Sequence, residues 1–301
     1  MLGPPPGLSR RHFLALAGAG AGAVVLGACG GGDDDAADAD GPDGTSGDRE
    51  LVLAPYLQGP FYFTGVESRI IFGLADSEGL LTLEDTPEEL EVTIVDPDGA
   101  SAKPITLERH GDGLPRAYFP LRVTLDDPGI YTIRAEPLGG AAVEMVFEVQ
   151  DATPTSLVKP GDQMPGSLTP TVTDARGVDP ICTADPVCAL HDVTLTDALA
   201  AGRPVALLVA TPAFCKVAAC GPVHDVLLTA VAAHPDVHFL HAEVYQHPNV
   251  NPDGDYTQVL TDLRLVAEPV LFLVGSDGVV ADRLDSIYDQ RELNKALGAL
   301  S

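Results

Sequence analysis

The chain has 301 residues, with 17 Lys and Arg against 44 Asp and Glu, a formal charge of −27 at pH 7. Hydrophobic residues make up 45% of it, which excludes wholesale disorder, and the length suits about two domains. The charge excludes a basic surface for nucleic acid, and the absence of Trp with 5% aromatic residues argues against stacking platforms for bases or sugars.

The N-terminus carries Ser9-Arg10-Arg11-His12-Phe13-Leu14, then a Gly/Ala-rich run to Leu26 that is too short for a comfortable membrane span of about 20 residues. The run ends Leu26-Gly27-Ala28-Cys29. The first string resembles the twin-arginine export signal, and the second resembles a bacterial lipobox. The resemblance implies a signal peptide over 1–28 and a lipid on Cys29. It also implies a place on the extracytoplasmic face of the cell membrane. Residues 29–50 follow as an acidic tether; from Gly30 to Glu50 there are eight acids and one Arg, which cannot bury a core.

Residues 51–151 read as a β-sandwich of six to eight strands. Leu90, Val92 and Ile94 alternate with Glu91, Thr93 and Val95, and Val143, Met145, Phe147 and Val149 alternate likewise. Gly139-Gly140 reads as a hairpin turn between two such runs. Asp127-Pro128-Gly129-Ile130-Tyr131 resembles the tyrosine corner of immunoglobulin-like (Ig-like) domains, in which the Tyr hydroxyl bonds back to the main chain. There is no Cys or Trp here to form the disulfide and packed indole of antibody domains. His110, in a Gly/Asp-rich turn, reads as solvated. The role of this domain, contact surface or spacer, stays open.

From residue 152 to 301 strands alternate with helices. Thr194 to Asp197 forms a capping box ahead of a short helix that stops at Gly202. Pro204 to Ala210 is a continuous apolar run, as a buried central strand requires. A helix is expected over Val217 to Ala233, a strand over Val237 to Val244 and a helix over Tyr256 to Leu265. A hairpin around Gly275 to Gly278 and a last helix over Gln290 to Leu300 complete the order β-α-β-α-β-β-α.

Ala210-Thr211-Pro212-Ala213-Phe214-Cys215 lies just past the first of these strands, and Val266-Ala267-Glu268-Pro269 comes about fifty residues later. This arrangement resembles the thioredoxin fold over about 120 residues, with Phe214 where that family usually has Trp and Pro269 at its cis-proline. The fold class implied is multidomain: an N-terminal all-β Ig-like sandwich and a C-terminal α/β thioredoxin-like domain. The activity implied is thiol–disulfide exchange with extracytoplasmic protein thiols or disulfides. Cys215 would attack, Cys220 would resolve, and Pro269 would shape the substrate face. A Cys at a helix N-terminus has its thiolate stabilised, and Lys216 could assist.

The spacing departs from the family's C-x-x-C. Residues i and i+5 of a regular helix lie about 140° apart, so Cys215 and Cys220 pair only if Cys215 precedes the helix or its first turn is open. The family's buried Asp is Val209 here, and Glu268 places negative charge near the thiols. Cys182 and Cys188 flank a short loop and read as a structural disulfide or a relay pair. Four mature Cys besides Cys29 allow three pairings.

Three other readings stay open. Thr211 with Cys215 and Cys220 resembles the bacterioferritin-comigratory peroxiredoxins, which implies a thiol peroxidase. Thiols with His191, His224, His238, His241 or His247 could bind copper, though each His reads more simply as a core or surface residue. Both Cys pairs could be staples on a binding module without activity. No organic cofactor and no metal set are read from the chain.

Overall fold

The computed structural model describes residues 50–59, 61–152, 157–216, 219–251 and 254–300. The segment expected as a signal peptide, Cys29 and all of the expected tether but Glu50 lie outside the described residues. Among the described residues no helix is long and apolar enough to cross a membrane.

The N-terminal half is all β. Its strands are β1 (Val52–Pro55), β2 (Tyr62–Phe63), β3 (Glu67–Asp76), β4 (Gly79–Leu80), β5 (Glu89–Val95), β6 (Ile105–Glu108), β7 (Phe119–Thr124), β8 (Gly129–Ala135) and β9 (Val143–Gln150). One sheet centres on β3, which pairs antiparallel with β1, β4 and β7. The other runs β2-β9-β8-β5-β6. The two sheets share one core, with Phe72, Phe119 and Leu121 from the first against Val92, Ile133 and Phe147 from the second. The period-two alternation of β5 and β9 therefore points Leu90, Val92, Ile94, Met145, Phe147 and Val149 inward.

The corner before β8 is held by Tyr131, whose hydroxyl donates to Asp127 O at 2.9 Å. Gly129 is required there: its φ is +149°, and a Cβ would stand 2.6 Å from Pro97 Cγ.

The C-terminal half comprises α1 (Leu195–Ala200), β10 (Val205–Val209), α2 (Cys220–Ala230), β11 (His238–Ala242), α3 (Gln258–Asp262), β12 (Val270–Val274), β13 (Val280–Asp285) and α4 (Gln290–Gly298). From β10 onward this is the β-α-β-α-β-β-α order expected from the sequence. The sheet runs β11-β10-β12-β13, with β10 and β11 parallel and the other pairs antiparallel. Every residue of β10 and β12 is buried. Leu195 and Val259 cover one face, and Val223, Leu227, Leu293 and Leu297 cover the other. Two covered faces explain why these strands are continuously apolar. Thr194 caps α1 by accepting from Asp197 N–H at 3.0 Å.

Three helices are shorter than the pattern suggested, α4 by its last two residues. α2 starts at Cys220, not Val217, so Pro222 sits in its first turn, where no intrahelical N–H is lost. α3 spans Gln258–Asp262 because the chain before it is tied to the sheet edge: Tyr256 bridges Tyr245, and Thr257 N–H donates to Val244 O at 2.8 Å.

The two halves join through a buried polar network. Arg69 on β3 pairs with Glu292 on α4 at 2.6 Å, and its guanidinium also donates to Asp285 O at 2.8 Å. Tyr118 donates to Glu292 at 2.8 Å. Asp289 caps α4, accepting from Glu292 N–H at 2.9 Å, and accepts from Gly111 N–H at 3.0 Å. Ile71 and Tyr118 enter the core of the C-terminal half, so β3 is buried on both faces. His110 is not a solvated loop residue: its Nδ1 meets Asp289 at 2.9 Å. A partner more than 170 residues away in sequence supplied no local signal.

Candidate functional site

β10 delivers the chain to Ala210, and the loop that follows carries Cys215 back to the start of α2. Cys220 is the first residue of α2, and Cys215 precedes it. The angular mismatch of five residues on a helix therefore does not arise. The two form a disulfide with Cα atoms 5.8 Å apart. Cys220 is fully buried and Cys215 is half-buried, so the first sulfur is the one within reach of a partner. Cys220 N–H donates to Cys215 Sγ at 3.3 Å. It is the α2 N-terminus, through the residue that opens it, that supports Cys215.

Pro269 opens the turn into β12, and the Glu268–Pro269 peptide is cis. Glu268 Oε2 lies 3.8 Å from Cys220 Sγ. Burial pushes the Glu268 carboxyl up to about 7, the charge of Glu243 adds to this, and Lys216 opposes it. Glu243 is fully buried and also raised, by burial first. Its Oε1 accepts from Thr183 N–H at 2.6 Å. Glu243 thus adds a second buried carboxyl that acts on Glu268, where the sequence pointed to Glu268 alone. Glu243 was concealed within an apolar strand run, and only the pairing of β11 with β10 brings it near. Beside the disulfide runs a depression of about 610 Å³, lined by Lys216, Glu268, Val266, Leu260, Tyr245 and Tyr256.

Cys182 and Cys188, expected as a staple or relay disulfide, are two buried thiols with sulfurs 3.7 Å apart. Around them the fold gathers three imidazoles. His241 Nδ1 is 3.5 Å from Cys188 Sγ and 3.7 Å from Cys182 Sγ. His191 Nε2 is 3.3 Å from Cys188 Sγ. The His224 ring lies 4.9 Å from that of His241, centroid to centroid. The Cys182 thiol is held down by its hydrogen bond with Cys188, with further help from His191 and His241, while Cys188 is pushed up by the same bond and by burial. Burial, then the neighbouring His241, lowers His224 to about 4.

His238 and His241 face opposite sides of β11, as their spacing requires, and only His241 reaches the thiols. His247 is exposed. Thr211 is fully buried, and its side chain acts on the Glu243 carboxyl. The convergence of His191, His224 and His241 was not read from the sequence. Each looks like a core residue alone; the available signal was Cys188 and His191 three apart.

No known protein family matches the chain, and no curated protein matches it. Among solved structures, the one described as MTB DsbF in its mixed oxidized and reduced forms shares 22% identity. It covers 37% of this chain and 89% of its own, with a TM-score of 0.30. That degree of likeness assigns no role to any residue.

Proposed function

We propose that this chain is a thiol–disulfide oxidoreductase of thioredoxin-like fold, acting through Cys215 and Cys220 and carried by an Ig-like sandwich. Its place is the extracytoplasmic face of the membrane, anchored by a lipid on Cys29. The strings at Ser9 to Leu14 and Leu26 to Cys29 support the address. One observation carries the activity: a disulfide at the start of α2 whose first cysteine is partly buried and whose second is fully buried.

The chemistry follows from that asymmetry. A substrate thiolate attacks Cys215 Sγ, the Cys215–Cys220 bond breaks, and the electron pair leaves on Cys220. Glu268, 3.8 Å away and with its carboxyl raised to about 7, supplies a proton to that sulfur. A second thiolate on the same substrate then attacks the substrate sulfur of the mixed disulfide. Cys215 leaves as a thiolate, stabilised by Cys220 N–H and the helix N-terminus. The substrate dithiol has become a disulfide and the enzyme disulfide a dithiol. The exchange runs in reverse with a substrate disulfide. The depression lined by Lys216 and Glu268, the neighbours of Cys215 and Pro269 in the chain, suits an extended segment of a protein substrate.

The test is differential alkylation of the full chain under graded reduction, together with exchange against a disulfide-bonded protein. The pair is expected to open at a mild potential. Cys215→Ser should abolish exchange, and Cys220→Ser should accumulate the mixed disulfide. A pair that opens only under strongly reducing conditions, without exchange, would return the chain to a stapled binding module.

A further inference from the structure

Cys182, Cys188, His224 and His241 are all buried, and one ligand atom from each lies within 4.8 Å of every other. None of the four takes part in the exchange chemistry above. We propose that they form a structural zinc site, closed and four-coordinate, beneath the loop that carries Cys215.

The distances favour a metal over a disulfide. A disulfide requires sulfurs about 2.05 Å apart. A tetrahedral zinc with bonds of about 2.3 Å to S and about 2.0 Å to N has S–S edges of about 3.8 Å and S–N edges of about 3.5 Å. The observed edges are 3.7 Å between the sulfurs, and 3.5 and 3.7 Å from the sulfurs to His241 Nδ1.

The donor atoms are also presented correctly. His241 Nε2 lies 3.1 Å from Ala210 O, a carbonyl, so that nitrogen carries the hydrogen and donates. Nδ1 then holds the lone pair, and it is this nitrogen that faces both thiols. His224 Nε2 is buried without any hydrogen-bond partner, on a side chain 2% exposed. A buried imidazole nitrogen left unsatisfied is costly, and a metal bond removes that cost. His191 stands outside the four, with Nε2 3.3 Å from Cys188 Sγ, where it can donate to the sulfur as an outer partner. A cleft of about 510 Å³, lined by Cys188, His224, Asp185 and Asp225, gives an ion a way in.

The donor set selects the metal. Two thiolates and two imidazoles in a tetrahedron suit zinc, and no position is open for water. On binding, two thiol protons leave as two Zn–S bonds form. The site ties the Cys182 loop to α2 and to β11. Thr183 continues the tie, its hydroxyl accepting from Ala213 N–H at 3.2 Å, two residues before Cys215.

The experiment is elemental analysis of the full chain, purified without chelator, with thiol counting of the native protein. One zinc per chain is expected, and removal by chelator should free two thiols and lower the melting temperature. Cobalt added to the metal-free reduced chain should give the strong visible bands of a tetrahedral thiolate site. His224→Ala should lose the metal, while His191→Ala keeps it with about 10- to 100-fold weaker affinity. Cys215→Ser and Cys220→Ser should both keep it in full, so this site and the exchange activity fail or stand separately. A Cys182–Cys188 disulfide in the metal-free native chain would overturn the proposal. So would copper in place of zinc, or retention of metal by His224→Ala.

Discussion

Glu268 Oε2 and Cys220 Sγ are 3.8 Å apart, which puts an acid whose carboxyl titrates near 7 beside the buried sulfur of the disulfide. On the proposed exchange, the same carboxylate in the reduced chain would be the base that frees Cys220 for attack on a mixed disulfide. The rate of that step should rise as pH passes through about 7. Glu268→Gln should lower it by about 100-fold above that pH and flatten the profile. The check is a stopped-flow measurement of thiol release after glutathione disulfide reacts with Cys215. An unchanged profile in the variant would remove Glu268 from the reaction.

The same group makes stability depend on pH. Its ordinary value is 4.5 and its folded value about 7, so between these the folded chain binds the extra proton. Stability should therefore fall as pH rises from about 4.5 to 7 and level off above. Glu268→Gln should remove this component. Urea unfolding of the oxidised protein across that range measures it.

Arg69 is the cation on which Glu292 depends. Burial opposes the charged form of Glu292, but Arg69 and the Tyr118 hydroxyl hold its carboxyl below the usual range. Arg69→Met leaves that carboxylate buried with weaker partners and should cost about 3–5 kcal/mol. Equilibrium unfolding of the variant tests this; a loss below about 1 kcal/mol would mean that Arg122, 3.5 Å from Glu292, replaces it.

Asp289 sets the acid limit. Burial would raise its carboxyl, but hydrogen bonds from His110, Glu292 N–H and Gly111 N–H bring it to about 2 from 3.8. The stability it contributes is present above about pH 4 and is lost as pH falls towards 2. Circular dichroism during acid titration should show a shallower limb for Asp289→Asn than for the wild type.

Tyr131→Phe removes one hydrogen bond, to Asp127 O, and leaves the ring packing in place. It should cost about 1 kcal/mol with no change in exchange activity. Denaturant unfolding and the exchange assay, run side by side, check both halves of that statement.

Much of this architecture was legible in the chain. Alternation at Leu90, Val92 and Ile94 and at Met145, Phe147 and Val149 marks strands with one buried face, and these residues do form the sandwich core. The uninterrupted run Val205 to Val209 marks a strand covered on both sides. The Asp127–Tyr131 bond was readable because it is local. What escaped is what depends on distance along the chain. His110 and Asp289 are 179 residues apart, and Cys182 and His241 are 59. Periodicity describes one element at a time. It cannot show that a His on α2, a His on β11 and two Cys in a loop converge, nor that Glu243 turns towards Thr183.

The cap of α4 has a wider meaning. Asp289 satisfies the first turn of the last helix and, with the same carboxylate, grips the Gly111 turn of the sandwich. One side chain serves a helix and a seam together. The sandwich cannot swing away without fraying the helix that closes the C-terminal core. The disulfide therefore keeps a set bearing from β1, as a tool does when clamped in a vice rather than hung on a string.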